Sequence, residues 1–106
     1  MTRSNSRLDE TARGVYIISA TPFSDDGALD YASLDRLIEF YLEQGVHGLT
    51  LLGVMGEAPK LSSEEQGQFM HHALRRVNGR RPAIVGVSNP GIDNLVVLSH
   101  EAMDAG

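Results

Sequence analysis

The feature that most constrains this chain is a regular alternation of short apolar segments with amphipathic segments of helical periodicity. Apolar runs rich in β-branched residues predict strands over 15–20, 48–52 and 83–87. A helical pattern follows each run, and the third pattern extends from about Ile92 to Ala105. A β-α-β-α-β-α order predicts parallel strands joined by right-handed crossovers, and therefore an α/β fold.

The helix ends carry local signals of their own. Asp30 is placed to cap the first helix, and Gly45 follows its last turn. Ser62 and Glu65 have the spacing of a capping box at the start of the second helix. For the third helix, the apolar pattern predicts an inner side formed by Leu95, Val96, Ser99, Ala102 and Met103.

The number of strands limits how such a sheet can be covered. If the three crossovers have the same hand and the strands follow one another in order, every helix lies on the same face of the sheet. The strands, however, look apolar on both faces. A doubly wound sheet solves this by reversing its strand order, and a barrel solves it by closing with eight strands. We predict that residues 14–106 are the first three βα units of a (β/α)₈ TIM barrel, preceded by a flexible arm over 1–13. A self-contained small α/β domain is the alternative.

Composition removes several classes of function. The absence of cysteine excludes disulfides, thiol nucleophiles and cysteine metal sites. A formal net charge of −5 argues against nucleic acid or an anionic membrane as a partner. The polar start lacks a secretory apolar region, and no apolar run approaches the roughly 18 residues of a membrane span. The four histidines have no carboxylate or histidine partner at the spacing of metal ligands, so we expect no metal site. The polar start and the absence of a long apolar run predict a soluble cytoplasmic protein.

The stretch GVMGEAPKLS, residues 53–62, directly follows the second predicted strand. Glycines at 53 and 56 let the backbone bend tightly and approach a ligand closely. Backbone N–H groups between them, close to a helix start, suit a carboxylate. A turn that only redirects the chain is the alternative interpretation.

Four blocks in order carry a resemblance to a known family. They are SATPF, GALDYASLDRLIEFYLEQGVHGL, GVMGEAPKLSSEE and PAIVGVS. Together, over residues 14–106, they resemble the N-terminal part of the dihydrodipicolinate synthase / N-acetylneuraminate lyase family, whose members are class I aldolases and lyases on a (β/α)₈ barrel. The resemblance implies a 2-keto acid such as pyruvate as substrate, bound as a lysine Schiff base. It also implies a homo-oligomer and no metal or organic cofactor.

The resemblance also implies roles for particular residues. The backbone of Val54 and Met55 would hold the substrate carboxylate, and Gly53, Gly56 and Glu57 would shape the loop. Chemistry in such barrels lies at the carboxyl ends of the strands. Thr21 and Ser88, which follow the first and third strands, are therefore candidates for the rim of the site.

Two departures from the family pattern bear on activity. Hydroxyl residues commonly stand where this chain has Val54 and Met55, and Val54 cannot relay a proton. The pattern therefore favours a relative acting on another 2-keto acid over dihydrodipicolinate synthase itself. Lys60 is the only lysine, and it does not stand at the family's lysine position.

We therefore expect no catalytic residue within these 106 residues and no activity from this chain alone. A non-catalytic barrel fragment that docks with a complementary piece is one alternative function. A small α/β module that binds an anion at the glycine turn is the other.

Overall fold

The computed structural model describes residues 8–106. The first seven residues of the predicted arm lie outside the described residues. Residues 8–13 are exposed and carry neither helix nor strand. The division into an arm over 1–13 and a domain over 14–106 stays a prediction.

Three parallel strands form one sheet in the order β1-β2-β3, so that consecutive strands are neighbours. The doubly wound alternative is wrong, because it needs a reversal of strand order that this sheet lacks. The strands and the helices that follow them are β1 (Tyr16–Ile18), α1 (Tyr31–Glu43), β2 (Gly48–Leu51), α2 (Ser63–Val77), β3 (Ala83–Val85) and α3 (Ile92–Ala105).

The predicted helix caps are confirmed by their hydrogen bonds. The Asp30 carboxylate accepts the backbone N–H of Ser33 at 3.0 Å. Ser62 Oγ accepts the backbone N–H of Glu65 at 3.1 Å, and Glu65 Oε1 accepts that of Ser62 at 2.9 Å. Gly45 has a φ of +81°, the left-handed conformation that ends a helix. These bonds fix where α1 and α2 begin, and therefore where their apolar faces meet the sheet.

The core lies between the sheet and the helix layer, in which α1 packs on α2 and α2 packs on α3. The apolar stripe of α2 is buried throughout and consists of Phe69, Met70, Ala73, Leu74 and Val77. The fully buried side chains that join sheet and helices are Leu34, Ile38, Leu49, Leu51, Phe69, Met70 and Val77.

The opposite face of the sheet is open, which differs from the prediction of strands buried on both faces. Ile18, Thr50 and Ile84 lie in one register row across the three strands. Ile18 is 46% exposed and Ile84 is 38% exposed. The apolar character of both strand faces was correctly identified, but among the described residues no second layer covers this face. The strands themselves are one to three residues shorter than predicted.

The predicted inner side of α3 is mostly wrong. Leu98 is the buried residue, and Ala102 and Ala105 pack beside it. Leu95, Val96 and Met103, which were placed inside, are exposed. The helix is apolar over a broad arc, and periodicity alone does not decide which part of that arc meets α2 and the sheet.

Candidate functional site

The turn that follows β2 consists of two overlapping hydrogen-bonded turns. The Gly56 N–H donates to the Gly53 carbonyl at 3.1 Å, and the Glu57 N–H donates to the Val54 carbonyl at 3.0 Å. Val54, Met55 and Gly56 all lack positive φ, which makes both turns type I rather than type II. Successive turns of this kind resemble the first turn of a helix, where the leading N–H groups have no internal acceptor.

The backbone N–H groups of Val54 and Met55 have no hydrogen-bond partner among residues 8–106. Val54 is 93% exposed and Met55 is 64% exposed. Backbone donors without an internal acceptor at such a turn can bind an anion. The carboxylate-binding role of Val54 and Met55 stays a prediction.

The residues that carry the unusual backbone of this loop are not its glycines. Leu52 has a φ of 57° and Glu57 a φ of 55°, so left-handed residues flank the turn on both sides. Gly53 and Gly56 have no positive φ. Gly56 is crowded, because a Cβ there would lie 3.2 Å from the backbone of Leu52, whereas a Cβ on Gly53 would have ordinary contacts. No sequence pattern marked Leu52 as part of the loop geometry.

Glu57 and Lys60 form an ion pair within the loop. Lys60 Nζ donates to Glu57 Oε1 at 2.6 Å, and both side chains are exposed to solvent. Exposed pairs of this kind contribute little to stability. The lysine of this chain therefore lies on the loop surface with a carboxylate beside it.

A cavity of about 430 Å³ adjoins the turn at the carboxyl ends of β2 and β3. Of the two predicted rim residues, Ser88 lines this cavity and is exposed. Thr21 does not line it: its side chain is buried, and its hydroxyl has no hydrogen-bond partner among residues 8–106. The cavity is lined by Leu52, Gly53, Val54, Glu57, Ala58, Pro59, Lys60, Gly86 and Ser88.

A larger and more open groove of about 590 Å³ lies on the outer helices, away from the strand ends. Several of its polar groups already have protein partners. His72 Nε2 lies 2.7 Å from Asp35 Oδ1, and His71 Nε2 lies 3.7 Å from Glu101 Oε2. Burial raises the pKa of the Tyr31 hydroxyl at its edge. The smaller cavity is the better candidate, because it lies at the strand ends and Val54 of the turn lines it, whereas Met55 does not.

Two residues that position the cavity were missed by sequence reasoning. Gly86 packs against the backbone of Leu52. Gln66 is a buried polar residue of α2 that bonds to Ala58 and to Asn89. Neither residue belongs to a local motif, since their partners are distant in the sequence.

The described residues contain neither a metal-binding cluster nor a membrane-spanning helix. Within residues 8–106, no group of three or more His, Asp or Glu side chains is placed to hold a metal ion. None of the three helices in this range has the length and apolar character that crossing a membrane requires.

Comparisons with known proteins agree with the sequence resemblance. Residues 11–106 match the Dihydrodipicolinate synthetase family. The 4-hydroxy-tetrahydrodipicolinate synthase of Thiobacillus denitrificans is 38% identical over 96 residues, which are 91% of this chain and 32% of that protein. The chain therefore spans about a third of the length of the relatives it matches.

Solved structures give the same result. A dihydrodipicolinate synthase from Rhodopseudomonas palustris superposes with a TM-score of 0.89 at 42% identity, over 96% of this chain and 34% of that one. The synthase of Acinetobacter baumannii, solved with pyruvate, gives 0.82 at 34% identity over 88% and 32%. The N-acetylneuraminate lyase of Mycoplasma synoviae gives 0.84 at 27% identity over 87% and 32%. With three parallel strands that match the first third of these proteins, the chain belongs to the dihydrodipicolinate synthetase family.

Proposed function

We propose that this chain is the carboxylate-binding part of a class I lyase that acts on 2-keto acids such as pyruvate. The observation that carries the proposal is the pair of backbone N–H groups at Val54 and Met55, which have no hydrogen-bond partner among the described residues. They lie at the carboxyl end of β2, which is the end where barrel enzymes place their chemistry. The relative solved with pyruvate supports the choice of ligand.

In the proposed reaction, a lysine outside these 106 residues attacks the keto carbon as a neutral amine. Water leaves and an imine forms, which allows a neighbouring carbon–carbon or carbon–oxygen bond to be made or broken. The two N–H groups hold the substrate carboxylate and so fix the keto carbon relative to the amine. Lys60 is not this amine in our proposal, because it lies on the loop surface beside Glu57.

The proposed enzyme acts on a 2-keto acid such as pyruvate but does not carry out the reaction of dihydrodipicolinate synthase itself. Val54 offers no hydroxyl to a proton relay, although its backbone donor is kept.

The longer protein is proposed to close a (β/α)₈ barrel over the open sheet face, and to act as a cytoplasmic homo-oligomer without a metal or organic cofactor. Ser88 is proposed to border the substrate, since it lines the same cavity as Val54.

Trapping with borohydride tests the lysine chemistry directly. The full-length protein that carries this chain would be incubated with pyruvate, reduced, and its intact mass measured with and without each reagent. We expect the mass gain of one reduced pyruvate per chain. Anion binding without an adduct would favour the non-catalytic anion-binding alternative instead.

A matched pair of variants tests the carboxylate site. Val54→Pro removes one N–H donor at the second position of a type I turn, where proline is tolerated, and Val54→Ala removes only the side chain. We expect Val54→Pro to weaken pyruvate binding about tenfold or more, because a hydrogen bond to a charged group contributes about 1.5–3 kcal/mol. Equal affinities for the two variants would contradict the proposed role of the backbone.

A further inference from the structure

The cavity beside the glycine turn has two walls from different parts of the chain. Ala58 and its neighbours form the wall that follows β2, and Gly86 and Ser88 form the wall that follows β3. The walls touch where the strands end. The Gly86 N–H donates to the Leu51 carbonyl at 2.8 Å, and a Cβ on Gly86 would lie only 2.3 Å from the carbonyl oxygen of Leu52. At this point, backbone contact sets the separation of the walls.

Further along the two loops, one buried side chain connects the same walls. Gln66 is 4% exposed, and both ends of its amide have partners. Its Nε2 donates to the Ala58 carbonyl at 2.9 Å, and its Oε1 accepts from Asn89 Nδ2 at 3.1 Å. Ala58 is next to Glu57 of the turn, and Asn89 is next to Ser88. A single amide therefore joins the loop after β2 to the loop after β3.

The amide is held at a fixed place by its helix. The capping box of Ser62 and Glu65 fixes the start of α2, and Phe69 and Met70 are fully buried one turn later. A buried amide that is hydrogen-bonded at both ends rigidifies its surroundings, and the loss of a partner is costly. Gln66 thus has the geometry of a spacer between the two loops.

We infer that Gln66 is a positioning residue, which holds the Ala58 and Asn89 loops at one separation and thereby directs the Val54 and Met55 N–H groups at the substrate carboxylate. The effect on ligand binding rests on the proposed function. The coupling of the two loops does not rest on it.

Hydrogen exchange in the full-length protein tests the coupling by itself. Gln66→Met keeps the size of the side chain but removes both hydrogen bonds. We expect exchange to rise several-fold over both 53–60 and 86–89, with β1 and α1 unchanged. Gln68→Met is the matched control, because Gln68 is exposed on the same helix and its side chain bonds, within residues 8–106, only to Glu64. A rise in one loop only, or throughout the protein, would overturn the inference.

A milder variant covers the case in which Gln66→Met fails to fold. Asn89→Ala removes one of the two bonds at a half-buried position. We expect faster exchange at 86–89 and, through the freed amide, a smaller rise at 53–60. No change at 53–60 would mean that the two loops are independent and would overturn the coupling.

Borohydride trapping over a range of pyruvate concentrations tests the consequence for the ligand. We expect Gln66→Met to raise the half-saturating concentration about tenfold while the maximal trapping rate changes little, as for a lost binding contribution. Gln68→Met should match the wild type. An unchanged half-saturating concentration in Gln66→Met would leave Gln66 with a structural role only. If the wild type forms no adduct, the proposed function fails, and hydrogen exchange still decides the coupling.

Rescue by a carboxyl group separates positioning from general loss of stability. In Gln66→Glu, a protonated carboxyl can donate to the Ala58 carbonyl and accept from Asn89, whereas the ionised group cannot donate. We compare the half-saturating pyruvate concentration of Gln66→Glu with that of the wild type at the same pH. We expect the ratio of the two to fall towards one as the pH is lowered. A ratio that does not depend on pH would contradict the role of the hydrogen bonds.

Discussion

At the scale of single residues, the turn after β2 depends on close backbone contacts. Leu52 and Glu57 adopt left-handed conformations, which cost L-residues roughly 1–2 kcal/mol each. Such strain persists only where surrounding contacts enforce it, and it concentrates at functional sites. At Leu52, Gly56 and Gly86 approach the backbone closely, since a Cβ on them would lie 3.2 Å and 2.3 Å from backbone atoms of Leu52.

Two glycine substitutions should therefore differ in their effect. Gly86→Ala would place a Cβ 2.3 Å from the carbonyl oxygen of Leu52, so the backbone must shift. We expect it to lower the free energy of unfolding of the full-length protein by about 1–3 kcal/mol, the usual cost of overpacking. Gly53→Ala has ordinary contacts, the nearest at 3.7 Å, and should change it by less than about 0.5 kcal/mol. Denaturant unfolding of both variants measures the difference, and equal losses would contradict this account.

At the scale of secondary structure elements, charged groups join the ends of α1 and α2. Glu39 on α1 accepts from Arg80 at 2.7 and 3.1 Å and from Arg76 Nε at 2.9 Å. Arg80 also donates to the carbonyls of Arg76 and Val77 at the end of α2. One guanidinium thus satisfies helix-end carbonyls and binds the neighbouring helix.

This cluster predicts a pH dependence of stability. The hydrogen bonds from Arg80 hold the pKa of Glu39 below its ordinary value. The stabilisation that ionised Glu39 contributes is therefore present above its unfolded-state pKa of about 4.3. It is lost as the pH falls through the lower pKa of the folded state. Because water screens these partly exposed groups, we expect Glu39→Gln to cost only about 0.5–1 kcal/mol at pH 7.

Unfolding curves at several pH values measure this contribution. The difference between wild type and Glu39→Gln should shrink below about pH 4. Glu43→Gln, at an exposed position of the same helix, is the control and should show no such trend. A difference that stays constant down to low pH would contradict the assignment to Glu39.

At the scale of the whole molecule, the open sheet face and the outer side of α3 are both apolar. Ile18 and Ile84 flank Thr50 in one row of the sheet, and Val96 and Met103 lie exposed on the helix. Exposed apolar patches of this kind mark surfaces that pack against something else. In the proposed barrel, the remaining strands and helices of the longer protein cover them.

The polypeptide of residues 1–106, produced alone, should therefore self-associate. We expect its sedimentation coefficient to rise with protein concentration. The double variant Ile18→Thr and Ile84→Thr should reduce that rise, because it makes the open sheet face more polar. The full-length protein with the same two substitutions should instead lose stability, because the row would then be buried. A monomeric 106-residue chain that unfolds in a single cooperative step would contradict the barrel proposal.

Features whose interaction partners are near neighbours along the chain could be predicted from the sequence. The caps at Asp30 and at Ser62 with Glu65 are confirmed, because each bond spans three residues and depends only on local conformation. The alternation of strands and helices was predictable for the same reason, and the ordered blocks identified the family. The turn at 53–57 was also located from sequence, although the conformations of Leu52 and Glu57 were not.

Features that depend on contacts between distant parts of the chain could not be predicted without the three-dimensional structure. Gln66 bonds to Asn89, which lies 23 residues further along the chain. Gly86, which directly follows β3, packs against Leu52, which directly follows β2. The inner side of α3 likewise follows from where α2 and the sheet lie, not from the apolar pattern of the helix. Local hydrogen bonds are determined by backbone conformation and nearby side chains, whereas such contacts exist only once packing has brought the elements together.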